Sequence, residues 1–462
     1  MTGLKGNGAV AKPNKLLGNG RLGEKEWIMK RKIGQWAKTV LPAAALALTT
    51  SVAVAQDNPD TLNIGVFTFT SGPAAAYGMP GKQAAELMIE RINADGGIGG
   101  LPIEAKFVDE AQGAEGVISE YRRMAEDPSN QVAVAALSSG NCLALAPLGE
   151  QLKMPTIAWN CDTHQLLLND RLQYTYRPNG NTIPEFTAFV AYLLERNPDV
   201  KRVAIINPDY SFGHDAAEIV KTAFETFAPD VEIVAELFPK LGASTYQTEI
   251  SRLSSARPDA IFSNLWGGDL ENFVRQASPR GIFMQSQVIL ALGETVLQRV
   301  DLPEGVIVGM LGDGYWLSPD SQANADTVAF AEAYHKRYGE YPVFPAMKMA
   351  NAFVVMKAAI EKAIDAKGGE WPTRDEIAAA MKGMEVDTMT GHVRIREDND
   401  GIVDQVIGVT AKSDTYDFKV IADMVRYDGD VFMAPIDEEP VEWIRTLDSA
   451  FLKALPKPGS YK

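Results

Sequence analysis

The chain has 462 residues, 46% of them hydrophobic, with 60 acidic against 44 basic side chains and a formal net charge of −16. Single hydrophobic cores stop growing near roughly 250–300 residues, so two core-bearing lobes are expected. The acidic excess speaks against nucleic acid and anionic lipid surfaces as partners, and is silent on fold.

Met29 is followed by Lys30, Arg31 and Lys32, an apolar stretch over 40–48, and Ala53-Val54-Ala55. That order reads as a secretory signal peptide over 29–55, cleaved after Ala55. The uncharged stretch 39–55 is interrupted by Pro42 and Thr49-Thr50-Ser51, and falls short of the roughly 20 apolar residues of a membrane-spanning helix. Gln56 rather than a cysteine follows the cut, so no lipid anchor is indicated and a soluble periplasmic protein is expected. Residues 1–28 show no apolar periodicity and precede a complete signal, so they are read as an upstream extension outside the fold. Removing residues 1–55 takes away nine basic and two acidic residues, which leaves a net charge of −23.

After Gln56, short β-rich runs alternate with helical stretches, the pattern of a parallel sheet covered by helices. Strands are predicted at 61–68, 103–108, 131–137 and 156–159, with helices at 81–93, 117–126 and 143–152 between them. The glycine cluster at 96–100 follows a helix and reads as a helix stop and turn. A second set has helices at 185–195, 216–227, 245–255 and 270–277 and strands at 202–207, 232–238 and 260–264. Two doubly wound α/β units in tandem match the two-lobe expectation. Beyond them, helices at 326–338, 346–363 and 374–382 precede β-like runs at 392–396 and 403–409. The helices would finish covering the first lobe while the strands return to the second. The tail from Pro435 has no assigned lobe or role.

Cys142 and Cys161 are the only cysteines. In an oxidising compartment an even, close pair reads as a disulfide, with two buried thiols as the alternative. Only His164 lies near them, there is no CxxC spacing, and His214, His335 and His392 lack ligand spacing, so no metal is expected. No cofactor is expected either. The mature region has no G-x-S-x-G elbow, no H-E-x-x-H and no Walker A loop, which speaks against a hydrolase or nucleotide enzyme.

The run Thr70-Ser71-Gly72-Pro73-Ala74-Ala75-Ala76-Tyr77-Gly78, with Ile92-Asn93-Ala94-Asp95-Gly96-Gly97-Ile98-Gly99-Gly100, resembles the leucine/isoleucine/valine-binding protein family of ABC importers. Phe107-Val108-Asp109-Glu110, Leu137-Ser138-Ser139, Val203-Ala204-Ile205-Ile206, Pro258-Asp259-Ala260-Ile261 and Gly391-His392-Val393 extend the resemblance over nearly all of the mature chain. It implies a type I periplasmic binding protein fold: two doubly wound parallel-sheet lobes joined by three hinge crossings, with ligand between them. The expected N-terminal lobe is 56–179 plus 312–391 and the C-terminal lobe 180–311 plus 392–434, with crossings near 178–180, 310–313 and 391–393. The implied function is capture of a small amino-acid-like ligand, or alternatively of an aromatic or other small carboxylate or a quaternary amine, for the membrane permease of an ABC importer. A ligand sensor with the same fold is the other class considered. A monomer is expected.

The resemblance also directs attention to site residues. Ser139 matches a carboxylate-binding position and, with Ser138, precedes a helix, so N-capping is the alternative role. Asp162 and Thr163 match a ligand-contacting loop, and Trp159 is either a cleft wall or core filler. Cys142 and Cys161 would then lie on neighbouring loops at this half of the site. Ser71 and Tyr77 belong to the first strand-to-helix loop, at the cleft mouth. The second lobe offers Tyr210, Phe212, Trp266, Asp269 and Glu294, with Tyr315 further on. Where the branched-chain binders place tyrosines this chain has Phe212 and Asp269, so their side-chain specificity does not carry over. Asp269, with Glu294, would pair with a ligand ammonium; solvated carboxylates are the alternative.

Overall fold

The computed structural model describes residues 59–168 and 172–462. The expected signal peptide at 29–55, its cleavage after Ala55 and the upstream extension 1–28 lie outside the described residues. The first half of the chain gives β1 (Leu62–Thr68), α1 (Ala75–Ala94), β2 (Ile103–Asp109), α2 (Gly113–Glu126), β3 (Asn130–Val134), α3 (Ser139–Leu152), β4 (Thr156–Ile157) and β5 (Thr175–Tyr176). These strands form one sheet in the order β2-β1-β3-β4-β5, every neighbour parallel. Helices on both faces explain why β1 is buried at nearly every position instead of alternating.

The pattern repeats with α4 (Thr182–Arg196), β6 (Arg202–Ile206), α5 (Ser211–Phe227), β7 (Glu232–Leu237), α6 (Gln247–Ala256), β8 (Ala260–Ser263), α7 (Gly267–Ala277), α8 (Ile282–Gln285), β9 (Gln287–Leu290) and β10 (Ile307–Gly309). The order β7-β6-β8-β9-β10 is again parallel, and it reproduces that of the first sheet. After β10 come α9 (Pro319–Ala323), α10 (Ala325–Tyr338), α11 (Phe344–Ala366) and α12 (Arg374–Met381). They pack on the first lobe: α11 lies against α1, and the Arg374 guanidinium donates to the carbonyls of Ala125, Asp127 and Asn130.

The chain then forms β11 (Glu385–Asp387), β12 (His392–Ile395), β13 (Gly401–Ile402), β14 (Gln405–Ala411), β15 (Val420–Tyr427), α13 (Pro440–Ile444) and α14 (Ser449–Ala454). Three features depart from the sequence reading. The second sheet is mixed, because the hairpin β14-β15 extends it antiparallel beyond β10. The run at 392–396 does not join that sheet; it pairs with β11 and β13 in a small antiparallel sheet of its own. The tail packs on the second lobe, where Phe451 stacks on Phe227 and Arg445 pairs with Glu225.

Helix starts differ in an informative way. α1, α3, α4 and α5 begin three to six residues before their apolar periodicity does, because their first turns hold at most one large apolar residue each, too few to show a period. Pro80 therefore lies inside α1 and not at its opening. Proline has no N–H for the carbonyl four residues earlier, and the freed oxygen of Ala76 accepts from Arg299 Nη1 of the second lobe at 3.0 Å.

Where the chain first passes between sheets, Arg177 is 1% exposed and grips Asp400 with two bonds of 2.8 Å. Its Nη1 donates to the carbonyls of Cys161 and Thr163, and Asn181 Nδ2 donates to Asp400 at 2.6 Å. A Cβ on Gly401 would lie 2.6 Å from the Arg177 carbonyl, so glycine permits the two passages to touch. Arg177→Met should cost about 3–5 kcal/mol by leaving Asp400 buried without its cationic partner, with only the Asn181 amide still donating to it. Urea unfolding followed by tryptophan fluorescence measures this, and an unchanged midpoint would refute the tie.

Candidate functional site

In open α/β sheets of this strand order, loops at the carboxyl ends of the strands converge beside the point where the order reverses. Here two such points face each other. From the first lobe come Tyr77 after β1, Leu137 and Ser139 after β3, and Asn160 and Asp162 after β4; from the second come Tyr210 and Phe212 after β6, Trp266 after β8 and Leu292 after β9. Corresponding strands of the two sheets supply corresponding walls. The cavity between them is about 10 Å³, roughly the room for one water, so a larger guest enters only by parting the lobes. A wider groove of about 1220 Å³, bordered by Tyr174, Arg396, Asp398 and Glu438, runs behind the hinge; most of its border lies away from these strand ends.

Four aromatic rings form most of the wall. Tyr77 meets Trp266 edge-on at 5.5 Å and Phe344 at 5.6 Å, and Tyr210 lies 6.1 Å from Phe212. The Tyr77 hydroxyl donates to Asn160 Oδ1 at 3.2 Å, while Trp266 Nε1 finds no acceptor among the described residues. Ser139 is the first residue of α3, so its hydroxyl and the unpaired N–H groups of that helix start face the same space. Ser138 is the N-cap, its Oγ accepting from Asn141 N–H at 3.3 Å. Glu110 fixes this loop from below, accepting from Leu137 N–H at 2.7 Å and Asn141 Nδ2 at 2.8 Å. Cys142 and Cys161 are bonded to one another, which joins α3 to the loop carrying Asp162.

Asp162 is the one carboxylate on the cavity wall, and Lys348 Nζ holds its Oδ1 at 2.9 Å. Burial pushes the Asp162 carboxyl up from the ordinary range, against the pull of Lys348. Glu185 stands 3.8 Å from the same ammonium, fully buried with neither oxygen hydrogen-bonded, and burial raises its pKa far above the usual value.

Of the residues predicted from sequence, the structure brings together Tyr77, Ser139, Asp162, Tyr210, Phe212 and Trp266. The others sit elsewhere. Trp159 is core: its indole N–H donates to the Phe67 carbonyl at 2.9 Å, and its ring fills the space where a Cβ on Gly81 would be. The Ser71 hydroxyl donates to Asp109 at the exposed end of β2. Thr163 Oγ1 donates to Asp215 of α5 at 2.6 Å. Tyr315 accepts the Ile421 N–H at 3.0 Å within a buried contact to β15.

The two acids expected to meet a ligand ammonium lie off the cavity wall and have partners within the protein. Asp269 accepts the Gly242 N–H at 2.8 Å, holding its own lobe's 240–246 loop. Glu294 accepts the Phe344 N–H at 2.9 Å, across the lobes at the start of α11. Lys348 and Glu185 escaped the sequence reading, although each is a lone charge in an apolar helical run, which is a signal of a buried partner.

Burial raises the carboxyls of Glu110 and Asp313 to about 7 and that of Glu294 to about 8. Folded values above the unfolded ones, near 4.3 for Glu and 3.9 for Asp, mean stability present at low pH and lost as pH rises through 7–8. The melting temperature should therefore fall between pH 6 and pH 9, and Glu294→Gln should flatten that fall. A rising or flat wild-type profile by scanning fluorimetry would contradict it.

The sequence matches the family model described as "Periplasmic binding protein" over residues 61–415. The Leu/Ile/Val-binding protein BraC3 of Rhizobium johnstonii is 26% identical over 374 residues, covering 78% of this chain and 94% of that one. A solute-binding protein of an ABC transporter from Rhodopseudomonas palustris BisB5, solved with 3,4-dihydroxybenzoic acid, superposes with a TM-score of 0.70 at 24% identity, over 80% of this chain and 98% of that one. The branched-chain amino acid binding protein LivJ of Streptococcus pneumoniae, solved with isoleucine, gives 0.67 at 20% identity, over 79% and 99%. With paired doubly wound lobes closing on one cavity and a model matched over most of the described residues, the chain belongs to the periplasmic binding protein family.

Proposed function

We propose that the protein is the solute-capturing component of an ABC importer, exported, released near Ala55, and closing two lobes on a small carboxylate that it hands unchanged to a membrane permease. The observation that carries this reading is the convergence of equivalent strand-end loops from both sheets on one cavity. The ligand carboxylate belongs at Ser139 and the start of α3, where hydroxyl and helix N–H groups bind an anion without a basic side chain. The body of the ligand belongs among Tyr77, Tyr210, Phe212 and Trp266.

Those walls favour a small aromatic acid, the class held by the Rhodopseudomonas structure. Lys348 already engages Asp162, and one oxygen each of Asp269 and Glu294 accepts a backbone N–H, so each acid expected to meet a ligand ammonium already has a partner within the protein. A second reading, an amino acid with its ammonium on Asp162, is favoured by the place of that side chain on the cavity wall and by the amino-acid binders among the relatives.

Thermal shift with benzoate, 4-hydroxybenzoate, leucine, phenylalanine and choline separates these readings. A ligand at 100 times its Kd stabilises the folded form by about 2.7 kcal/mol. The expected outcome is a rise with the benzoates and none with choline; a rise with leucine alone selects the amino-acid reading. Turnover of a chromogenic ester without any shift would sink both. Ser139→Ala should weaken binding of the shifting carboxylate roughly 10-fold by calorimetry, with little change in the melting temperature of the free protein.

A further inference from the structure

We infer that Asp215 is a positioning residue for ligand capture, a buried acceptor on the second lobe that holds the ligand-bearing loop of the first lobe only when the lobes are shut. The inference rests on the solute-capture reading and adds a determinant that lies off the cavity wall.

Asp215 sits in the second turn of α5 and is buried. Its Oδ2 accepts from Thr163 Oγ1 and its Oδ1 from Gln165 Nε2, both at 2.6 Å. Both donors follow β4 of the first sheet, whereas α5 follows β6 of the second, so both bonds span the lobes. The His164 ring stands 3.8 Å from the same carboxylate and shares a hydrogen bond of 3.1 Å with Thr182 Oγ1.

The loop carrying these donors is short and fixed at several points. Cys161 is bonded to Cys142, Arg177 grips the carbonyls of Cys161 and Thr163, and Asp162 faces the cavity from the position between them. Asp162 on the ligand side and Thr163 on the latch side are adjacent residues, so the loop cannot shift for one without shifting for the other. The resemblance gave the Thr163 hydroxyl to the ligand; here its proton is committed to Asp215. Both bonds are short and join groups on opposite lobes, so they form only on closure. They bias the closed form, and a ligand that selects that form gains affinity from them without touching Asp215.

The test uses the full mature chain with spin labels at Glu104→Cys and Asp230→Cys, one exposed site on each lobe, in a protein whose only cysteines are joined to each other. Electron–electron resonance distances are read with and without benzoate, 4-hydroxybenzoate and leucine. Asp215→Ala should lower the closed population and raise the Kd of the bound probe roughly 10- to 100-fold, mostly through faster release. The melting temperature of the free protein should stay near wild type. Thr163→Ala added to Asp215→Ala should cost less than the two single effects combined, and Asp215→Asn, which still accepts from Thr163, should fall between Ala and wild type. A wild-type Kd and distance distribution in Asp215→Ala would overturn the inference, as would a fall in the free protein's melting temperature that accounts for the whole affinity loss. Should the wild type bind none of the probes, the ligand reading fails, and the unliganded distances of wild type and Asp215→Ala still decide the latch: identical distributions refute it.

Discussion

The buried pair of Arg177 and Asp400 is the constraint on which the site depends. Arg177 lies where the chain first leaves one lobe for the other, and Asp400 where the last passage begins. A guanidinium in a dry interior is expensive, and this one is accommodated because Asp400 and two carbonyls take up its donors in fixed directions. Those carbonyls belong to Cys161 and Thr163. The same side chain that ties the passages together therefore sets the height of the loop that carries Asp162.

Electrostatically the cleft is nearly silent, and that follows from how its charges are spent. Lys348 faces Asp162, Asp269 and Glu294 accept backbone N–H groups, and burial raises the pKa of Glu185 far above the usual value. What remains for a guest is a helix start, a serine hydroxyl, an indole N–H and ring faces. Such groups bind by direction and shape more than by net charge, which suits a carrier that must also let go. Binding stronger than the transporter can reverse would defeat the purpose, since a ligand shifts the lobes only by its differential affinity for the shut form.

The alternation of strands and helices, the tandem of lobes and the disulfide partners were legible in the sequence, because each leaves a periodic or compositional trace. β1, β3, β6 and β8 are buried runs bounded by polar loops, and the two cysteines had few other roles open to them. The short strands β9 and β10 were missed, as was the polar-faced β15. So were the first turns of α1, α3, α4 and α5, which hold at most one large apolar residue each and so lack apolar spacing. Half of the predicted ligand residues reach the cavity. Asp269 and Glu294 looked like ligand acids since sequence shows a carboxylate in the right loop but not the backbone N–H that claims it. Asp215 could be identified only once strands far apart in the chain were placed side by side, and so could the partner of Lys348, whose lone charge in an apolar run was the one trace it left in the sequence.

Pro80 leaves the Ala76 carbonyl without a partner inside its own helix, and Arg299 of the opposite lobe supplies one. Whenever the halves separate, that oxygen loses the Arg299 donor, and the regular i+4 bond of its helix is not there to replace it. The proline thus makes one rung of a regular helix report on the distance between two bodies: wetted when they stand apart, dry when they meet. An imperfection in secondary structure becomes a register mark for docking, fixing where along the helix the other body comes to rest.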